Sequence, residues 1–123
     1  MQLQESEINQ WIEGVNASEK TIIVEGFKDR KALENIGISN KIIVLNRQPL
    51  YKIIEHIASK HIDCIILTDF DKEGKRLYGR LNSELCQKGV RIDKEFREFL
   101  QKTTLDQVEG VERFFSRHAN EAP

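Results

Sequence analysis

The stretch Cys64-Ile65-Ile66-Leu67-Thr68-Asp69-Phe70-Asp71-Lys72-Glu73-Gly74 bears on both the fold and the chemistry of this chain. Its opening apolar run is continuous rather than alternating, the pattern of a strand buried on both faces of a parallel sheet. Asp69 and Asp71 then stand two apart on chain that is still extended, so their carboxylates point to the same side. Anions held that close repel each other, and a cation relieves the repulsion. Oxygen ligands without Cys or His select Mg²⁺, Mn²⁺ or Ca²⁺ over zinc; Mg²⁺ is the expected ion, with Mn²⁺ as a substitute. Gly74 lets the backbone turn, or approach a phosphate, where the next helix begins and its amides favour anions.

The same residues admit other readings. An aspartate after a strand can simply N-cap the following helix, and that role stays open. An EF-hand loop starting at Asp69 would need glutamate where Arg80 stands, and a strand precedes it here, so that reading fails. A receiver domain needs an acidic pair after its first strand and a lysine after a fifth. Phosphotransfer enzymes with a nucleophilic D-x-D carry it on the first strand, where this chain has Glu25.

Outward from this stretch lie two similar runs, Thr21-Ile22-Ile23-Val24 and Lys41-Ile42-Ile43-Val44-Leu45, and a weaker one, Val90-Arg91-Ile92. Helical spacing separates them. Ile8, Trp11, Ile12 and Val15 mark a leading helix, with Trp11 a core or interface residue. Ala32, Leu33 and Ile36 form a short helix stopped by Gly37. Pro49 opens one through Leu50, Ile53, Ile54 and Ile57, and Leu77, Tyr78, Leu81 and Leu85 run to Gly89. Phe96, Phe99 and Leu100, then Val108, Val111, Phe114 and Phe115, predict two closing helices, with residues 119–123 a loose tail.

Strands alternating with helices imply right-handed crossovers. The expected fold is α/β, a Rossmann-like three-layer sandwich with a four-stranded parallel sheet and helices on both faces. One domain is expected over residues 1–123, with its core at about 19–101.

Ligands of such sheets bind beyond the carboxyl ends of the strands, where strand order reverses. Glu25 leaves the first strand on a Glu-Gly step, and it converges with Asp69 and Asp71 if the first and third strands are neighbours. The cluster would then hold metal against a phosphate, with Glu25 able to move a proton. Lys72, Arg76 and Arg80 recur every four residues with Lys75 beside them, while Lys28 and Arg47 follow other strands onto the same rim. These six are candidates for positioning phosphates. Glu73 and Glu84 are spaced to offset Arg76 and Arg80, so a solvated helix face is the competing reading.

Composition narrows the partners. At 39% hydrophobic and 32% charged residues the chain reads as globular rather than disordered. A net charge of -1 excludes grip on nucleic acid by bulk charge, so a local patch or a metal must do it. No apolar run is long enough to span a bilayer, and the start lacks a basic segment followed by an apolar one, so a cytoplasmic location without membrane contact is expected. Cys64 and Cys86 read as small core residues, and His56, His61 and His118 lack metal-ligand spacing. Phe70 is expected to pack inward.

Val24-Glu25-Gly26 with Asp29, followed by Thr68-Asp69-Phe70-Asp71-Lys72-Glu73-Gly74, resembles the Toprim domain over roughly residues 19 to 101. That module occurs in type IA and type II topoisomerases, DnaG-type primases, OLD-family nucleases and the 5S rRNA maturase RNase M5. The resemblance implies a general acid/base glutamate at Glu25, metal-binding aspartates at Asp69 and Asp71, and motif glycines at Gly26 and Gly74. Many topoisomerase versions carry a further glutamate after that glycine; this chain has Lys75.

Topoisomerase action needs a tyrosine on a separate domain, and Tyr51 and Tyr78 both fall in helical patterns. The expected function is metal-dependent cleavage of an RNA or DNA phosphodiester, as in an RNase M5-like or OLD-like nuclease. The alternative is a non-catalytic nucleic-acid-binding module. A homodimer joined through the leading helix or the Phe114-Phe115 end is expected to deepen the site.

Overall fold

The computed structural model of the chain describes residues 5–102. Val108, Val111, Phe114, Phe115 and His118, with the helix and tail expected there, lie outside the described residues. The elements run α1 (Glu5–Ser18), β1 (Thr21–Val24), α2 (Phe27–Asn35), β2 (Ile42–Val44), α3 (Leu50–Ser59), β3 (Cys64–Ile66), α4 (Lys72–Gln87) and α5 (Glu95–Gln101).

The strands are parallel in the order β2-β1-β3, with Ile22 opposite both Ile42 and Ile65. The ladders run slightly past the strands: Leu45 N–H donates to Val24 O at 2.9 Å and Leu67 N–H to Ile23 O at 2.8 Å. All of β1 and β3 is buried, whereas Ile42 and Ile43 on the β2 edge are only half-buried. The chain steps from β1 out to β2, then back past β1 to β3. Right-handed crossovers in opposite directions put their helices on opposite faces.

The core follows that geometry. On one face Trp11 and Val15 of α1, Leu33 of α2 and Leu100 of α5 pack on Ile22, Val24, Ile65 and Leu67. On the other, Ile53, Ile54 and Ile57 of α3 and Leu81 and Leu85 of α4 pack on Ile23, Cys64 and Ile66. Alternate strand residues thus feed two cores, which is why these runs are apolar throughout. Three helices end in the same motif. After α4, Gly89 N–H donates to Cys86 O at 3.0 Å and Val90 N–H to Leu85 O at 3.0 Å, with Gly89 at φ 82°.

Two expectations need correction. Among the described residues the sheet has three strands, not four. Val90-Arg91-Ile92 supplies only an isolated parallel bridge from Ile92 to Cys64. Pairing stops because Asp93 turns the chain away: its carboxylate accepts from Lys20 Nζ at 2.7 Å and from Glu95 N–H at 3.1 Å, at the start of α5. Cys86 is exposed rather than core, because the buried face of α4 is carried by Leu81 and Leu85. Cys64 is buried as expected, and burial pushes its thiol up to about 12. No helix among the described residues is long and apolar enough to cross a membrane.

Candidate functional site

With β1 beside β3, Glu25 and Asp69 leave neighbouring strand ends. Glu25 Oε2 accepts from the Asp69 N–H at 2.6 Å, which ties the two ends together. Gly26 is extended (φ -138°, ψ 170°) and N-caps α2, and buried Asp29 reaches back to accept from its N–H at 3.0 Å. Asp29 therefore shapes the turn that presents Glu25.

The 68–74 segment is closed by Gly74. Thr68 Oγ1 donates to Gly74 O at 2.8 Å, and Gly74 N–H donates to Asp71 Oδ1 at 2.7 Å. Asp71 thus N-caps α4, the role left open by its position after a strand. A carboxylate has two oxygens, however, and a cap does not prevent it from joining a metal site. Gly74 is required for proximity: a Cβ there would lie 2.0 Å from Asp69 O. The close approach is to the chain's own backbone.

Glu25, Asp69 and Asp71 each offer a carboxylate oxygen, and these oxygens lie within 4.8 Å of one another. All three donors are hard oxygens with no thiolate or imidazole beside them, a set that fits Mg²⁺ or Mn²⁺. Burial pushes the Glu25 carboxyl up to about 7, and the charges of Asp69 and Asp71 add to the rise against the pull of the Asp69 amide. The folded state therefore holds this proton more tightly than the unfolded chain. Its contribution to stability is complete below the ordinary 4.5 and is lost as pH rises through about 7.

Metal-free protein should accordingly melt at lower temperature at pH 7.5 than at pH 5. Glu25→Gln keeps the acceptor for Asp69 N–H without the charge, and should recover about 1 kcal/mol at pH 7.5 after allowance for solvent screening. Melting curves across that range check this, and a wild-type curve parallel to that of Glu25→Gln would contradict it.

Sequence reasoning missed Arg97. It is 5% exposed, and its guanidinium donates to Thr68 O and, at 3.1 Å, to Asp69 O. The group lies 4.5 Å from the centroids of both the Phe70 and Tyr78 rings. Phe70 thus packs inward, against this cation. Burial lowers the Arg97 pKa, with Tyr78, Glu25 and Asp69 opposing the shift; a guanidinium nonetheless stays charged near neutrality. The available signal was spacing, since Arg97 precedes Leu100 by three residues and so shares its buried face.

A cleft of about 910 Å³ opens beside the carboxylates, lined by Glu25, Gly26 and Asp69 and by the cations Lys28, Arg47, Arg76 and Arg80. Lys72 and Lys75 are exposed on α4 but do not line it. Arg76 pairs with Glu73 and Arg80 with Glu84, each at 2.7 Å, so the in-helix compensation forms. Arg47 shares a tight turn with Asn46, at φ 60° and 43°, closed by Gln48 N–H donating to Leu45 O at 2.8 Å. Left-handed backbone at a residue other than glycine costs about 1–3 kcal/mol. Here that strain sits on the rim of the cleft.

The chain is similar to known proteins. A UPF0292 protein from Thermococcus gammatolerans is 39% identical over 104 residues, covering 85% of this chain and 77% of that protein. A UPF0292 protein from Methanocaldococcus jannaschii is 31% identical over 103 residues, covering 83% and 80%. A solved structure from Aquifex aeolicus superposes with a TM-score of 0.75 at 28% identity, covering 83% of this chain and 95% of that one. The family model for the Toprim domain matches residues 19–94. That match takes in both acidic segments and the three strands of the described residues, and the chain belongs to the Toprim domain family, among the UPF0292 proteins.

Proposed function

We propose that this chain is a stand-alone Toprim protein that uses Mg²⁺ at Glu25, Asp69 and Asp71 to cleave an RNA or DNA phosphodiester. The observation that carries the reading is the convergence of three carboxylates from adjacent strand ends to within 4.8 Å. Bound Mg²⁺ would supply charge stabilisation for the phosphoryl oxygens. Asp69 and Asp71 would hold the ion with Glu25 beside them, and the Glu25 carboxyl would exchange a proton with the reacting oxygen.

Lys28 and Arg47 reach the phosphates directly, whereas Arg76 and Arg80 must first give up Glu73 and Glu84. Exposed ion pairs of this kind are weak, and a phosphate competes well for the guanidinium. Lys72 and Lys75 extend the basic surface along α4.

The test uses Asp69→Asn combined with Asp71→Asn, which keeps an oxygen to cap α4 while weakening the metal site. Labelled RNA and DNA are incubated with wild type and variant in Mg²⁺, Mn²⁺ or EDTA. Metal-dependent products are expected from wild type, with a loss in the variant beyond the roughly 10–100-fold that outer-shell changes cause. Binding that ignores EDTA and yields no products would replace the nuclease with a nucleic-acid-binding module.

A further inference from the structure

Phe27 is 51% exposed, and with Tyr51 it is one of the two exposed large hydrophobic residues among the described ones. Phe27 alone of the pair lines the cleft that holds Glu25 and Asp69. Among the described residues Phe27 belongs to neither core cluster. Helix α2 buries Asp29, Ala32 and Leu33, and Phe27 opens the helix off that face. The Arg30 guanidinium lies over the ring, 5.0 Å from its centroid. Such a contact restrains the ring and sets a positive charge next to it. Leu45, Pro49 and Leu77 add apolar surface to the same cleft, while Lys28 and Arg47 supply charge around it.

An apolar ring within a rim of cations matches a ligand that is itself an apolar plate on an anionic backbone. A nucleotide is such a ligand, but only when its base is unstacked, since a duplex buries its base faces. The cleft of about 910 Å³ falls in the size class of sites that take small ligands. We propose that Phe27 is a stacking platform for an unpaired nucleobase, so that the substrate is single-stranded next to the phosphate at Glu25 and Asp69. This inference rests on the nucleic-acid reading above and names the substrate class for the same site.

Short fluorescein-labelled RNA and DNA single strands and their blunt duplexes, titrated by anisotropy in Mg²⁺, test it. Wild type should bind the single strands more tightly. Phe27→Ala should weaken single-strand binding by about 5- to 150-fold and leave duplex binding unchanged, with Phe27→Trp restoring it. Tyr51→Ala is the control for an exposed aromatic outside the cleft and should behave as wild type. A single strand carrying 2-aminopurine should lose fluorescence on binding wild type and keep it with Phe27→Ala. If Phe27→Ala binds single strands as wild type does, or weakens both forms alike, the stacking role is overturned and the metal-site reading stands. If no probe binds wild type, the nucleic-acid reading fails and takes this inference with it.

Discussion

Gly74→Ala is expected to abolish divalent-cation binding and to lower the melting temperature, although alanine is the better helix former. In a helix interior that exchange gains about 1 kcal/mol. At Gly74 the new Cβ would sit 2.0 Å from Asp69 O and 2.8 Å from Asp69 Cα. The obstacle is backbone rather than a side chain that can swing aside, so α4 and the 69–71 loop must move apart. Overpacking costs about 1–3 kcal/mol and sometimes more, which outweighs the propensity gain. The separation also breaks the Thr68 bond to Gly74 O and the Asp71 cap on Gly74 N–H.

Gly26→Ala is the matched control, since its Cβ would meet nothing nearer than Asp29 Oδ2 at 3.8 Å and its backbone is extended. Thermal melts with and without Mg²⁺, and Mn²⁺ titrations, separate the two. A Gly74→Ala protein that melts and binds metal like wild type would show that the close approach is not what holds the loop.

The second large effect is expected at Arg97. Arg97→Met preserves much of the side-chain volume and removes both donors, taking the guanidinium from the buried Thr68 carbonyl and from the half-buried Asp69 carbonyl. A buried acceptor that loses its donor costs about 1–3 kcal/mol, and the contacts with Phe70 and Tyr78 are lost as well. A destabilisation of about 3 kcal/mol follows at neutral pH.

The variant also removes the cation that faces the carboxylates from inside the fold, so added Mg²⁺ should restore more stability to Arg97→Met than it adds to wild type. Arg97→Lys should recover only part of the loss, because an ammonium lacks the planar fork that reaches two carbonyls. Urea unfolding with and without Mg²⁺ checks all three expectations. Wild-type stability in Arg97→Met would show that the guanidinium is a passenger.

The carboxylates were legible because they obey local rules. A buried parallel strand declares itself by an unbroken apolar run, and the residues that follow it lie on the ligand-binding edge. Glu25, Asp69 and Asp71 could therefore be grouped before any fold was seen. Trp11 was legible as an inward residue by its helical spacing; that its indole N–H donates to Phe96 O at 2.9 Å was not.

Other features depended on partners distant in the chain. Cys86 looked apolar but belongs to the wrong side of α4. Val90-Arg91-Ile92 had strand composition, yet Lys20, far away in sequence, holds Asp93 and helps end the pairing after one bridge. Arg97 was passed over because a charged residue flanked by Glu95 and Glu98 in a short helix reads as solvent-facing until its aromatic neighbours are placed.

Local spacing was enough to read the first three strands with the helices between them and the two acidic segments, and the order of those segments along the chain was enough to read the family. Tertiary structure alone decided that β1 lies between β2 and β3, which brings Glu25 to the Asp69 amide. It also decided that Gly74 serves close packing against Asp69, that Arg97 sits behind the loop, and that Phe27 opens onto the cleft. The physical reason is the same in each case. Spacing fixes which face of an element a residue occupies, but only packing between elements decides what that face meets.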